Sequence, residues 1–388
     1  MKSTKTKKVI VGILIFLMGG LCGVGGLKLY QGNNPLPGGS VSMPRSEYKT
    51  LKSLESRYVK AERLIQTIKK YYYKDVDEKD INEGIYKGIF AGLGDKYSGY
   101  MTAKEYEMYE TAVTGKFEGI GVTITENKKN EIEAINVIPG APAEKAGIKK
   151  GDIIKKVDGK VYEDIDSAAR AMRGKKGTKV KVTVARKGKT LDFTVTRDKI
   201  VNKTVNSKML KNNIGYIQIT AFEEETGDDF INAVKDMEKK KVKGLVIDLR
   251  DNGGGLVNSG VTVADELLGK GVVTYTKDKY GKKEYYKSES GKTKLPYVLL
   301  VNGNTASASE ILSAAVKDSG EGKIIGIKTY GKGVIQVSQP LGDGSGIKLT
   351  VMQYFSPKGH TIHKKGVTPD YVIKNKDGQL NKAIELLK

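Results

Sequence analysis

The stretch Val301-Asn302-Gly303-Asn304-Thr305-Ala306-Ser307-Ala308-Ser309-Glu310-Ile311 decides how this chain folds. Immediately before it, Tyr297–Val301 is a short run of leucine and β-branched residues between Pro296 and Gly303, the pattern of a buried strand. Immediately after it, Ile311, Leu312, Ala315 and Val316 fall at helical spacing, and Ser309 followed by Glu310 suits a helix start. The residues between are small, so a hydroxyl is expected where a strand turns into a helix. The N-terminus of that helix offers N–H groups and a positive dipole end to a developing oxyanion, which suits a nucleophile. Serines also cap helices without catalysing anything, and position in the turn does not choose between Ser307 and Ser309.

Outward from this stretch, strands and helices alternate from residue 213 onward. Apolar runs at 214–219, 244–249, 272–276, 324–328 and 347–354 read as strands, and 228–239 and 257–268 read as helices. Such alternation predicts an α/β core with a central sheet. Two more stretches of this core bear on chemistry. Asp248-Leu249-Arg250-Asp251-Asn252-Gly253-Gly254-Gly255 is a strand end running into glycines, which expose backbone amides to a phosphate or an oxyanion. Lys328-Thr329-Tyr330-Gly331-Lys332-Gly333-Val334-Ile335-Gln336 places a lysine between glycines, where its stem can be buried against another loop. Residues 326–332 nearly spell a nucleotide-binding loop, but Gly333 stands where a magnesium-holding Ser or Thr is required.

Residues 113–200 read as short strands with one clear helix around 167–172 and a hairpin turning at Lys187-Gly188. The motifs Gly119-Ile120-Gly121-Val122, Ala141-Pro142-Ala143-Glu144-Lys145-Ala146-Gly147-Ile148 and Lys150-Gly151-Asp152-Ile153-Ile154 resemble a PDZ domain of the bacterial protease type. That resemblance implies capture of an extended C-terminal peptide by strand addition, with its carboxylate on the loop Gly119, Ile120, Gly121 and Val122.

Composition narrows the alternatives. One cysteine, Cys22, excludes an intramolecular disulfide, and two histidines, His360 and His363, cannot build a Cys or His zinc cluster. A Ser-His-Asp triad survives the count, but both histidines lie in one polar segment. The formal charge of +22 comes from scattered lysines with no nucleic-acid-reading motif, so no nucleic-acid partner is expected. Residues 9–27 are almost unbroken apolar behind Lys2, Lys5, Lys7 and Lys8, long enough to cross about 30 Å of hydrocarbon. Positive charge before the span predicts a single-pass anchor with the bulk of the chain outside the cytoplasm; a cleaved signal peptide is the alternative. The expected divisions are a basic tail and anchor (1–30), a Pro- and Gly-rich linker (31–45), a helical region for packing or dimerisation (46–112), the PDZ-like domain (113–200) and the core (201–388).

Taken together, the chain resembles a carboxy-terminal processing peptidase over about residues 48–369. Gly94-Asp95-Lys96-Tyr97-Ser98, the PDZ motifs, Asp248-Leu249-Arg250, Thr305-Ala306-Ser307-Ala308-Ser309-Glu310-Ile311, Gly331-Lys332-Gly333 with Gln336, and Gly366-Val367-Thr368-Pro369-Asp370 carry the likeness. The resemblance implies an α/β core of the ClpP/crotonase-like type with an inserted PDZ domain. It implies Ser307 as nucleophile, Lys332 as general base, Gln336 as the residue orienting the lysine, and the amides of Gly255 and Ala308 as oxyanion donors, with Gly254 not separable from Gly255. Neither a metal nor another cofactor is implied, and the expected partners are protein or peptide substrates with apolar C-termini. Two departures stand out: Thr305 where the family usually has Ser, and His360 where it often has Arg. Competing readings are a PDZ adaptor with an inert core and a crotonase-like acyl-CoA enzyme; the second needs neither export segment nor PDZ insertion.

Overall fold

The computed structural model describes residues 43–289 and 292–388. The expected anchor at 9–27, Cys22 and nearly all of the linker lie outside the described residues. Among the described residues, no helix is long and apolar enough to cross a membrane. The described residues divide into two compact units, one up to Asn82 and the other from Glu83 onward.

In the first unit the helix Arg45–Tyr71 runs for 27 residues and buries none of them. Leu51, Leu54, Tyr58, Ala61, Ile65 and Ile68 recur at alternating steps of three and four, which aligns them along one stripe. Tyr72 leaves the helix in an extended conformation.

In the second unit, the helix Ala103–Thr114 begins at a reciprocal cap between Thr102 and Glu105. The chain then enters a small β-domain along Lys116–Gly119 and leaves it along Asp198–Val201, and these two segments pair antiparallel. The domain is therefore an insertion on a two-stranded stem. Its sheet runs Val122–Glu126, Ile132–Val137, Ile153–Val157, Lys179–Arg186 and Lys189–Thr196, antiparallel throughout. The period-2 pattern is explicit in Lys179–Arg186: Val180, Val182 and Val184 are buried while Lys179 and Lys181 face water. Lys187 (φ 50°) and Gly188 (φ 78°) make the tight turn to the next strand. The helix Ile165–Met172, capped by Asp164, sends Ala168 and Met172 into the core.

The larger body contains a six-stranded sheet in the order Tyr371–Val372, Lys323–Gly326, Tyr297–Val301, Leu245–Asp248, Ile214–Ile219 and Val205–Leu210. All pairs are parallel except the last. Tyr297–Val301 is central and buried at all five positions, as a strand covered on both faces must be. One face packs on the helices Thr226–Lys239, Val257–Leu267 and Ala308–Ser319, the other on the C-terminal helix Lys376–Leu386. A second sheet is built on the long strand Gly346–Phe355, which pairs antiparallel with Gly99–Met101, Gly271–Asp278 and Val334–Pro340.

Residues 119–124 fall on two strands, broken at Ile120-Gly121, because the stem strand and the sheet strand belong to different sheets. The helix expected to start at Ser309 starts at Ala308, with Ser307 at its cap position. Lys332 precedes the strand Val334–Pro340 and a bulge falls between Ile335 and Gln336, so strand alternation does not put the two side chains on one face.

Candidate active site

Ser307 ends the turn after the central strand with φ 57° and ψ −120°. A serine held there costs about 1–3 kcal/mol, and the surrounding contacts must hold it. Its N–H donates to Glu310 Oε2 at 3.0 Å, and its C=O accepts from the N–H groups of Glu310 (2.8 Å) and Ile311 (3.0 Å). Thr305, fully buried, pins the turn by donating to Leu249 O (2.8 Å) and accepting from Asn302 N–H (2.9 Å). Ser307 is half-buried at the cap of that helix, where its hydroxyl oxygen faces the Glu310 N–H in a reciprocal cap, and its hydroxyl donates to no described residue. Ser309, by contrast, is fully buried and spends its hydroxyl on Asn252 O at 3.2 Å. Geometry thus separates the two serines: Ser309 spends its proton on a backbone carbonyl, whereas that of Ser307 is uncommitted.

The glycine loop lies against Ser307. A Cβ on Gly254, whose φ is 99°, would fall 2.6 Å from Ser307 Cβ, and one on Gly255 (φ 143°) would fall 2.1 Å from Phe222 O. Only residues without side chains allow these approaches. The Gly254 amide donates to Asn252 Oδ1 at 2.8 Å, and Asn252 is itself fixed by donating to Ile219 O. The amides of Gly253, Gly255 and Ala308 donate to no described residue. Gly254 is therefore already committed, which sequence alone left open. Upstream, Arg250 forks onto Asp248 with contacts of 2.5–3.0 Å and reaches Gln379 Oε1 at 3.0 Å, locking the strand end to the C-terminal helix.

Lys332 reaches the same place through Glu310. That carboxylate is fully buried and accepts from Thr329 Oγ1 (2.6 Å) and the N–H groups of Gly331 (2.7 Å), Lys332 (2.8 Å) and Ser307 (3.0 Å). One side chain thereby joins the serine turn to the lysine loop. Gly333 is needed because a Cβ there would lie 2.3 Å from His363 N. The Lys332 ammonium is half-buried; burial, and next the positive charge of Lys348, hold its pKa below the ordinary lysine value. Its Nζ lies 5.2 Å from the Tyr97 ring centroid and makes no hydrogen bond to a described residue, Ser307 included. Gln336 donates its Nε2 to Thr350 Oγ1 at 3.1 Å and does not meet Lys332.

Opposite Lys332, the Gly94–Ser98 loop is held by Asp95, which accepts from Tyr97 N–H (3.0 Å) and Ser98 Oγ (2.6 Å). With Tyr330, Val334 and His363 it walls a cavity of about 840 Å³. His360 stands apart, exposed and 3.9 Å from Asp318. The sequence alone points to no catalytic residue near Tyr97, reads Glu310 only as part of a helix start and singles out nothing at Tyr354. An acid buried among small and apolar residues was the available signal for Glu310; Tyr354, in an ordinary strand pattern, gave none.

In the inserted domain, Ile120 and Gly121 form the loop between stem and sheet, and their N–H groups donate to no described residue. Gly119 closes the stem strand and Val122 opens the sheet's edge strand Val122–Glu126. Between that edge and the helix Ile165–Met172 lies a groove of about 250 Å³ lined by Ile120, Val122, Ile124, Ile165, Ala169 and Met172. An open strand edge beside an apolar groove is what strand addition of a peptide needs.

Residues 213–373 match peptidase family S41, residues 119–196 match the PDZ domain, and residues 17–105 match the activating protease CtpB N-terminal domain. The chain is 40% identical over 326 residues to the carboxy-terminal processing protease CtpA of Bacillus subtilis (strain 168), covering 83% of this chain and 70% of that protein. With carboxy-terminal processing protease CtpB of the same organism it shares 32% identity over 370 residues, 93% of this chain and 76% of the relative. A solved structure assigned to the S41 proteases, from Bacteroides fragilis NCTC 9343, superposes with a TM-score of 0.51 at 17% identity, covering 82% of this chain and 91% of that one, and so shares the fold. The chain belongs to the carboxy-terminal processing peptidases of family S41, serine peptidases carrying a PDZ domain.

Proposed function

We propose that this protein is an exported, membrane-anchored endopeptidase that takes the apolar C-terminal tail of a protein substrate on its PDZ domain and cleaves by a Ser307–Lys332 mechanism, with Gln336 assisting. The observation that carries the reading is the buried Glu310 carboxylate, which accepts the N–H of both Ser307 and Lys332 and so brings a free hydroxyl and a lysine of lowered pKa to one place. Neutral Lys332 Nζ takes the Ser307 proton as Oγ bonds to the scissile carbonyl carbon. The oxyanion formed is stabilised by the uncommitted amides of Gly255 and Ala308. Lys332 then gives the proton to the departing amine as the C–N bond breaks; water, deprotonated by the same lysine, adds to the acyl carbon, and Lys332 returns that proton to Ser307 Oγ as the acyl C–O bond breaks. With Nε2 bonded to Thr350, the Gln336 carbonyl remains to accept from Lys332 Nζ without adding charge.

Ser307 Oγ and Lys332 Nζ must close to within hydrogen-bond reach for the first step, and catalytic contacts of this kind tighten when substrate binds. A tail held on Gly119, Ile120, Gly121 and Val122 favours that closed arrangement and gates access to Ser307. The core is of the ClpP/crotonase-like type, a reading supported by its parallel strands with following helices. The division at 1–30, 31–45, 46–112, 113–200 and 201–388 goes with this reading. Residues 9–27 supply the single-pass anchor in the bacterial cell membrane, with the catalytic portion extracytoplasmic; the uncovered stripe of Arg45–Tyr71 supports a homodimer contact.

The test is to incubate the full chain with an unfolded protein bearing an apolar C-terminus and to measure tail-peptide binding by fluorescence anisotropy. Ser307→Ala and Lys332→Ala are each expected to abolish cleavage while tail binding survives. Cleavage retained by Ser307→Ala sinks the assignment, and cleavage by neither variant nor wild type favours the adaptor reading.

A further inference from the structure

Tyr354 takes no part in the steps above, yet its phenol sits between the two residues that do. It lies on Gly346–Phe355, is 0% exposed, and packs in the core that holds Ala308, Ile311 and Ile362. Its own backbone is fixed on both sides, through N–H donation to Gly333 O at 3.1 Å and pairing with Thr276 across the sheet. From that rigid position its hydroxyl is 3.0 Å from the Ser307 carbonyl oxygen and hydrogen-bonds the Lys332 carbonyl oxygen as well. The Ser307 carbonyl has other donors, Glu310 and Ile311 N–H; the Lys332 carbonyl has no other among the described residues.

We propose that Tyr354 is a positioning residue for peptide-bond hydrolysis: its buried phenol fixes the separation of Ser307 and Lys332 by tying the main-chain carbonyls of both. The inference rests on the reading of those two residues as nucleophile and base. Glu310 holds the N–H side of each, so the phenol completes a clamp with a hold on both sides of both residues. Lys332 needs the second hold because it sits between Gly331 (φ 90°) and Gly333, with no regular strand bond of its own before Val334. A single phenolic proton shared between two carbonyls keeps them near each other without adding charge to the site. Burial, with the Glu310 charge nearby, holds the phenol's pKa well above its ordinary value, so it stays a donor under the alkaline conditions that neutralise Lys332. A misplacement of about 1 Å between reacting groups can cost on the order of 10²-fold in rate.

The test compares wild type, Tyr354→Phe, Val234→Ala and Ser307→Ala as full chains, reading kcat and KM on an internally quenched peptide with an apolar C-terminal tripeptide, alongside thermal unfolding. Val234 is buried in the same core but touches neither Ser307 nor Lys332, so its truncation controls for lost stability. Tyr354→Phe is expected to lower kcat about 10- to 100-fold with KM changed less than about twofold. Val234→Ala is expected to keep the wild-type kcat at a comparable or larger fall in melting temperature. Wild-type kcat in Tyr354→Phe overturns the proposal, as does a matching kcat loss in Val234→Ala. Undiminished turnover in Ser307→Ala overturns the Ser307–Lys332 reading instead, and identifies that failure separately.

Discussion

Ser307 keeps a positive φ because three groups act on its peptide units: Glu310 on the N–H, Tyr354 on the C=O, and Gly254 by leaving the space its Cβ needs. Gly254→Ala places a methyl 2.6 Å from Ser307 Cβ at a backbone φ of 99°, so cleavage is expected to vanish while the chain loses about 1–3 kcal/mol of stability. Glu310→Gln turns an amide NH₂ toward donors that now meet a carboxylate. It is expected to cost about 2–3 kcal/mol and at least about tenfold in kcat, measured by denaturant unfolding and steady-state kinetics. Lys332 makes the opposite trade. Its ammonium is held below the ordinary lysine pKa by burial. Between that lowered value and about 10.4 the unfolded chain binds more protons than the folded one, so this residue's contribution to stability rises with pH across that window. Lys332→Met is therefore expected to melt higher than wild type near neutral pH, with the gain fading toward alkaline pH; an unchanged gain across the range contradicts burial of the charge. On the proposed mechanism, cleavage is expected to climb through the same lowered pKa as Lys332 loses its proton.

At the scale of elements, the turn after Tyr297–Val301 works because a fully buried parallel strand delivers it rigidly to the start of a helix. That strand was legible since apolar residues fill it between a proline and a glycine, and Lys179–Arg186 was legible from strict alternation. Val205–Leu210 and Lys283–Ser288 were not, because both lie at sheet edges with mostly exposed polar side chains and carry no apolar pattern to read. The site was legible in part. Glycine and small-residue neighbours mark the turn of Ser307 and the loop of Lys332, but the choice of Ser307 over Ser309 came from the family resemblance and not from position in the turn. The bulge beside Gln336, which breaks its alternation with the preceding residues, is announced by no local pattern. Tyr354 joins residues 22 and 47 positions away in the chain, a relation set only by sheet packing. In the inserted domain, Ala169→Glu puts a carboxylate into the apolar groove and is expected to weaken tail binding at least about tenfold by repulsion and desolvation. Cleavage of a tail-less unfolded protein should be less affected, and equal losses on both substrates argue against the groove as the tail site.

For the whole molecule, the helix Arg45–Tyr71 exposes Leu51, Leu54, Tyr58 and Ile68 on a heptad-spaced stripe with no buried residue of its own. Sedimentation of the full chain is expected to give a dimer that Leu54→Asp with Ile65→Asp converts to monomer; a wild-type monomer removes the dimer reading. The proposed roles of Ser307 as nucleophile and Lys332 as its base are decided by reacting the full chain with a fluorophosphonate and locating the adduct by peptide mass spectrometry. The adduct is expected on Ser307, formed at a rate that rises with pH in wild type and is nearly lost in Lys332→Ala. An adduct on Ser309, or labelling of Ser307 that is indifferent to Lys332, would contradict these roles.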